Sequence, residues 1–278
     1  MKQFILLLIL HISLFSSCQN KRVADDIPYT FYLDEKNYSY KDYEIIPGTG
    51  LNLYENRIFP LAVGDSGLLL YSYFEKDYLN FVKLEGAIKK YTDKIDSSRY
   101  TYIPIFDKDL GIDNINDVIF QLKGLENRDR QVDVFHYGEE SIQYALIDEK
   151  KIVYTDRTGK QKFTLTSDYK RDKDNPKYIH NISLFIQIGD KKQCFFRTPD
   201  KLHESDIYIY ISGDYDEDGG GDFILRIADW NEERGYTQLY YLLYLSSEAE
   251  EGELIKHLAT CTFKHTKPGD KFIIKGLD

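Results

Sequence analysis

The chain is poor in the residues that carry the most familiar chemistry: 278 residues include three cysteines, seven prolines, one methionine and one tryptophan. The cysteines stand at 18, 194 and 261, so no CxxC pair and no Cys/His cluster exists, which argues against a zinc site built on thiolates. His136, His180, His203, His257 and His265 lack HExxH spacing, and each reads as a satisfied or exposed side chain. No GxSxG is present. Gly219-Gly220-Gly221 lies among carboxylates that would repel phosphate, so it is not a phosphate cradle. Basic side chains are outnumbered 36 to 46, for a net charge of -10, which argues against nucleic acid or anionic lipid as the main partner and turns attention to cations. Long apolar runs are missing as well. The one from Phe4 to Phe15 is broken by His11 and Ser13, short of the roughly 20 apolar residues of a spanning helix. With 42% hydrophobic and 15% aromatic residues, the chain nevertheless has ample material for a core and is not a disordered sequence.

What is present begins with an address. Lys2 supplies a positive charge, Phe4 to Leu10 is unbroken apolar sequence, and Ser13 to Ser17 brings small residues before Cys18, the order of a secretory signal peptide. Leu14-Phe15-Ser16-Ser17-Cys18 resembles the bacterial lipobox, with Phe15 where Leu is usual. The resemblance implies a lipid on Cys18, a membrane partner through that anchor, and a place in the bacterial cell envelope. The other reading is a soluble secreted protein cut near Ser17. Residues 1–17 are then the lipoprotein signal peptide, and the polar residues 18–28 a tether. Cys194 and Cys261 lie in strand-like contexts, and both a disulfide between them and two free buried thiols are open.

From about residue 29 the dominant pattern has period two. Ile207, Ile209 and Ile211 alternate with Tyr208 and Tyr210, and Leu184, Ile186 and Ile188 alternate with Phe185 and Gln187, so both segments read as strands. Tight connections around Gly159 and at Gly189-Asp190 predict antiparallel hairpins, and Leu68 to Phe74 and Tyr78 to Leu84 flank Glu75-Lys76-Asp77 in the same manner. Phe223 to Ala228 and Leu239 to Leu245 add two more apolar runs. Ile115 to Leu122 fits a short helix capped by Asn114, yet Val118-Ile119-Phe120 favours a strand nearly as well. The expected fold is mainly β, an antiparallel sandwich or half-open barrel with few short helices. The polar run Glu126 to Gln131 divides it into an N-terminal β region, 29–125, and a C-terminal β region, 126–278, unless it is an ordinary loop within one domain.

One segment has specific chemistry. Asp214, Asp216, Asp218 and Asp222 fall at positions 1, 3, 5 and 9 of a loop with Gly219 at position 6, the ligand spacing of an EF-hand-type calcium loop. Calcium takes six to eight oxygen ligands, alternating Asp residues in a curled loop turn their carboxylates inward, and Gly219 permits the sharp turn. The Gly220 carbonyl is the expected backbone ligand, and Tyr215 and Glu217 occupy outward positions. Leu225 replaces the usual acid at position 12, and apolar strand sequence lies on both sides, so the loop 214–222 is expected to join two strands. Glu204, Asp229, Glu232 and Glu233 are candidates for a further ligand. A weaker acidic loop, Asp107 to Asp113, has Asp at positions 1, 3 and 7.

The Gly213 to Phe223 loop resembles the calcium loops of FG-GAP and dockerin-like modules. The stretch from Gly213 to Phe263, with Leu243 to Ala249 and Gly252-Glu253-Leu254-Ile255, is similar to uncharacterised exported bacterial proteins that carry one such loop. The likeness implies calcium and export and no particular activity. The expected function is that of a calcium-binding, lipid-anchored envelope protein whose Ca2+ is structural. The alternative is an exported glycan-binding or glycan-cleaving protein, its many tyrosines lining a groove braced by calcium. Protein and glycan partners stay open.

Overall fold

The computed structural model describes residues 30–33, 37–47, 66–72, 78–85, 89–92, 102–105, 118–126, 128–137, 144–145, 151–231 and 236–266. The signal segment 1–17, the tether 18–28 with Cys18, the Asp107 to Asp113 loop, and Glu232 and Glu233 lie outside the described residues.

The fold is mainly β, built of antiparallel sheets that stack without closing into a barrel. A central sheet runs in the order Tyr38–Ser39, Lys256–Thr266, Tyr236–Leu245, Asp222–Asn231, Ile207–Gly213 and Tyr144–Ala145. A second sheet contains Lys191–Thr198, Tyr178–Ile188, Gln161–Arg171, Ile152–Thr155 and His136–Tyr137. A third holds Glu44–Pro47, Val118–Lys123, Ser66–Ser72, Tyr78–Glu85 and Arg130–Asp133. Lys89–Thr92 and Tyr102–Ile105 form a separate pair.

The central sheet is buried on both faces, and the strand Tyr236–Leu245 shows why its sequence is an unbroken apolar run. Side chains alternate across a strand. Tyr240, Leu242 and Tyr244 therefore enter the core shared with the second sheet, where Phe163, Leu165, Leu184, Ile186 and Phe195 meet them. Leu239, Tyr241, Leu243 and Leu245 enter the core shared with the third sheet, with Leu79, Phe81, Phe120 and Leu122. A strand with two apolar faces cannot show period-two alternation, because there is no solvent side to make polar. Each fully buried side chain of this size contributes about 1.5–3 kcal/mol by leaving water, and the tyrosines and phenylalanines dominate the sum.

The hairpins expected at residues 156–160 and 189–190 are present, and the strands Ser66–Ser72 and Tyr78–Glu85 pair antiparallel. Asp156 shapes its turn directly, its Oδ1 accepting from the backbone of Thr158 at 2.9 Å and of Lys160 at 3.1 Å. The ambiguous segment around Val118-Ile119-Phe120 is a strand, paired to both Glu44–Pro47 and Ser66–Ser72. Across the polar run at 126–131, Tyr78–Glu85 pairs with Arg130–Asp133, so one sheet draws strands from both sides of it. Cys194 and Cys261 sit in different sheets and both are free thiols, which removes the disulfide alternative. Burial pushes the Cys261 thiol up to about 12 and leaves it inert. Among the described residues no helix is long and apolar enough to cross a membrane.

His257 is the buried titratable base of the central sheet. Its ring stacks on Tyr38 at 4.9 Å and packs against Tyr244, while Nε2 lies 2.8 Å from Thr260 Oγ1 and 3.2 Å from the Ala259 carbonyl. Burial holds its pKa down to about 3, against an ordinary value of 6.5. The unfolded chain therefore takes up this proton below about pH 6.5, whereas the folded chain resists it until about 3. The stability associated with neutral His257 is complete above pH 6.5 and is lost as pH falls through that window, by at most about 1.4 kcal/mol per pH unit. Urea unfolding between pH 6.5 and 4 should show a shallower loss for His257→Gln than for the natural chain. Equal slopes would contradict this account of the histidine.

Candidate metal centre

Residues 214–221 connect the strands Ile207–Gly213 and Asp222–Asn231, and the pair Gly213↔Asp222 closes the loop at its base. Three alternating aspartates and the buried Asp222 turn toward one another, and the structure brings together the four expected acidic residues. One carboxylate oxygen from each of Asp214, Asp216, Asp218 and Asp222 lies within 4.8 Å of the others, an arrangement that could hold a metal ion.

The backbone follows from the residue order. Glu217 and Gly219 both have positive φ, 64° and 86°, and the second suits a residue without Cβ. The loop then curls enough for Asp214 Oδ2 to accept from Gly219 N at 3.0 Å and for Asp218 Oδ1 to accept from Gly220 N at 2.6 Å. The other two glycines of the triplet answer to neighbours. A Cβ on Gly220 would lie 2.0 Å from Ser246 Oγ, and one on Gly221 would lie 2.4 Å from the Phe163 ring. Gly220, expected to offer its carbonyl, thus occupies the same curl and lies against Ser246.

Asp222 has no exposed surface. Its Oδ2 accepts from Tyr215 N at 2.7 Å, and its Oδ1 accepts from the nitrogen and hydroxyl of Ser246 at 2.8 and 3.0 Å. These donors stabilise the ionised form. Burial and the neighbouring Asp216 and Asp218 charges outweigh them and push the carboxyl well above its ordinary range. Asp214 and Asp216 are shifted upward too, first by burial and then, after local hydrogen bonds that oppose it, by their acidic neighbours. Asp214 Oδ1 is buried and has no hydrogen-bond partner among the described residues. A divalent cation among these oxygens would reverse every one of these effects by giving the carboxylates an opposite charge at contact distance.

The second wall of the site was not anticipated. Beyond the strand Tyr236–Leu245, Ser246 donates to Asp218 at 3.2 Å as well as to Asp222, and the hydroxyl of Ser247 donates to Asp216. Glu248 follows, accepting from Tyr43 Oη at 2.8 Å and pairing with Lys41 Nζ at 2.6 Å. The Lys41 ammonium, then the Tyr43 hydroxyl, hold the Glu248 carboxyl below its ordinary value. Of the sequence-near acids proposed as further ligands, Glu204 pairs with Arg171, and Asp229 lies seven residues along the strand from Asp222, about 23 Å away. Leu225, at the position of the missing acid, is in the core.

Nor are the outward positions idle. Tyr215 is fully buried, its hydroxyl donating to the Ile211 carbonyl at 2.9 Å and its ring meeting Phe81 edge-on at 5.7 Å. Arg130 donates from Nε and Nη2 to the Tyr215 carbonyl at 2.9 and 2.6 Å while its guanidinium covers the Phe81 ring at 4.5 Å. Arg128 pairs with Glu217 and with Glu126. The loop is therefore tied to the third sheet through Tyr215 and to the second through Gly221 and Phe163, and it stands where all three sheets meet. Comparison of the chain with protein families, curated proteins and solved structures finds no match.

Proposed function

We propose that this chain is a calcium-binding, lipid-anchored protein of a bacterial envelope, and that the ion holds the fold together rather than taking part in a reaction. The observation that carries the calcium reading is the convergence of Asp214, Asp216, Asp218 and Asp222, with ligand atoms within 4.8 Å of one another. The spacing of the four aspartates at positions 1, 3, 5 and 9, with Gly219 at position 6, is that of a calcium loop, and it supports calcium over magnesium, which demands a small octahedral cage and holds its waters. Together with the Gly220 carbonyl, the Ser246 hydroxyl and water, the four carboxylates would complete a coordination shell of six or more oxygens.

The position of the loop supports a structural role. Its flanking strands belong to the central sheet, its Tyr215 fills the core, and its partners Ser246 and Ser247 sit in the next turn of the same sheet. The glycan alternative rested on the abundance of tyrosine, and among the described residues packing accounts for seven of the 24, Tyr43 and the six buried ones that follow. Tyr154, Tyr208, Tyr215, Tyr240, Tyr241 and Tyr244 are buried, while Tyr32 and Tyr38 are the exposed large apolar side chains among the described residues.

Calcium bound by the folded chain alone adds RT ln(1 + [L]/Kd), about 2.7 kcal/mol at a hundredfold excess over Kd. For a chain of this size that corresponds to a rise of roughly 5–10 °C in melting temperature. Thermal unfolding of the full chain in excess calcium should lie above unfolding in chelator by that order, with a smaller effect of magnesium. Asp216→Asn and Asp218→Asn should lose most of the difference. Identical melting in calcium and chelator, with no calcium retained at equilibrium dialysis, would overturn the reading.

The anchor is supported by the order Lys2, Phe4 to Leu10, Ser16-Ser17, Cys18. In a bacterial host fed a labelled fatty acid, the natural chain should carry the label and sediment with membranes, and Cys18→Ser should do neither. A Cys18→Ser chain that still carries the label would sink the anchor without touching the calcium reading.

A further inference from the structure

Residues 37–47 form a strap that crosses from the edge of the central sheet to the third sheet. Tyr38 and Ser39 pair with Thr260 and Ala259, Tyr40 N donates to the Leu258 carbonyl at 2.8 Å, and Glu44–Pro47 then pairs with Val118–Lys123. Midway, Lys41 and Tyr43 grip the two oxygens of Glu248. Glu248 lies in the turn whose Ser246 and Ser247 donate into the aspartate cluster, a turn closed by Ala249 N on the Ser246 carbonyl at 3.1 Å. A continuous chain of direct contacts thus runs from the candidate ion site to the strap: Asp216 to Ser247, Asp218 and Asp222 to Ser246, and Glu248 to Lys41 and Tyr43.

We propose that cation occupancy of the aspartate loop sets how firmly the strap of residues 37–47 is held, so that the site acts as a divalent-cation-sensitive latch on the N-terminal part of the fold. The inference rests on reading the loop as a calcium site. Besides the cluster itself, that reading has a further support: the Oδ1 atom of Asp214 is buried with no hydrogen-bond partner among the described residues, a demand that a cation at the centre of the cluster would meet.

The coupling has a physical route. Four carboxylates converging without a counter-charge repel one another, and the repulsion is relieved if the loop spreads. Ser246 and Ser247 are bonded to the spreading groups, so the turn moves with them, and Glu248 moves as part of that turn. The strap has little freedom to follow, because the Tyr43 ring is seated against Gly124, where even a Cβ would lie 2.4 Å from it. The Glu248 bonds are therefore the ones that give way. Binding of the ion does the reverse, and linkage requires that a firmly held strap raise the affinity for the ion by the same factor. The strand Tyr178–Ile188, in the middle of the second sheet, touches neither the turn nor the strap in any hydrogen bond or ion pair of the described residues, and serves as an internal reference.

Hydrogen exchange of the full chain, in calcium chloride and in chelator, separates this latch from general stabilisation. Removal of calcium should speed exchange at residues 41–46 by about tenfold, a typical size for coupling between sites, while Tyr178–Ile188 changes much less. Tyr43→Phe removes one bond to Glu248 without altering charge or ring, and should weaken calcium binding severalfold while bringing exchange of the strap in calcium toward the chelator rate. Lys41→Gln, at an exposed position, is the second variant and should have the same effect on exchange. If dialysis shows calcium bound and yet residues 41–46 exchange equally in both conditions, the latch is wrong and the calcium reading stands. If both variants bind calcium as the natural chain does and leave strap exchange unaltered, the latch is likewise overturned. If no calcium binds, both fall together.

Discussion

Asp222 closes the strand pair with Gly213, has no exposed surface, and shares its surroundings with three other aspartates. A negative charge in that position is either matched inside the protein or given up by protonation, because removing a carboxylate from water without compensation costs more than a single fold can offset. Tyr215 N and the two donors of Ser246 supply part of the match. Those same donors fix where the rest of the molecule can go. Tyr215, held by its nitrogen, directs its ring into the core against Phe81, and Ser246 locates the turn between the strands Tyr236–Leu245 and Lys256–Thr266. The remaining charge is what a cation would answer, and in this account one ion replaces repulsion among four side chains with coordination.

The site is placed by a sheet whose central strands, among the described residues, are packed on both faces. Its central strands bury apolar side chains on both sides, so the two outer sheets can approach one end of it together and leave the Asp loop where they meet. The arrangement explains why the loop has three glycines rather than one. Gly219 permits a backbone angle, Gly220 lets the turn at Ser246 come close, and Gly221 makes room for Phe163 of the second sheet. The contacts from which the latch is inferred come from the same crowding, since the turn that walls the aspartate cluster also carries Glu248, which binds Lys41 and Tyr43 of the strap.

Local features were legible in the sequence. Alternation at Ile207 to Ile211, the turn at Gly189-Asp190, and the spacing of Asp214, Asp216, Asp218 and Asp222 each depend on residues close along the chain, and the structure places them as strands, a hairpin and a cluster. Nonlocal features were not. Leu239 to Leu245 was visible as an apolar run, but a run alone does not distinguish one buried face from two, and the third layer went unseen. Ser246 and Ser247 were missed as partners because no spacing rule links them to aspartates 24, 28 and 31 positions earlier. The signal existed in the hairpin register. Asn231 opposite Tyr236 carries the ladder back to Phe223 opposite Tyr244, which sets Ser246 beside Asp222. The helix or strand ambiguity at Val118 to Phe120 was resolved by pairing on two sides, a tertiary outcome that propensity does not fix.

The central claim is that one calcium ion sits among these four carboxylates, and the most direct measurement is anomalous scattering from crystals of the full chain grown with calcium. The account predicts one strong anomalous peak within about 2.3–2.6 Å of oxygens from Asp214, Asp216, Asp218 and Asp222. Density without an anomalous signal at that position, or a side-chain ammonium or guanidinium filling it in crystals grown with calcium, would contradict the account.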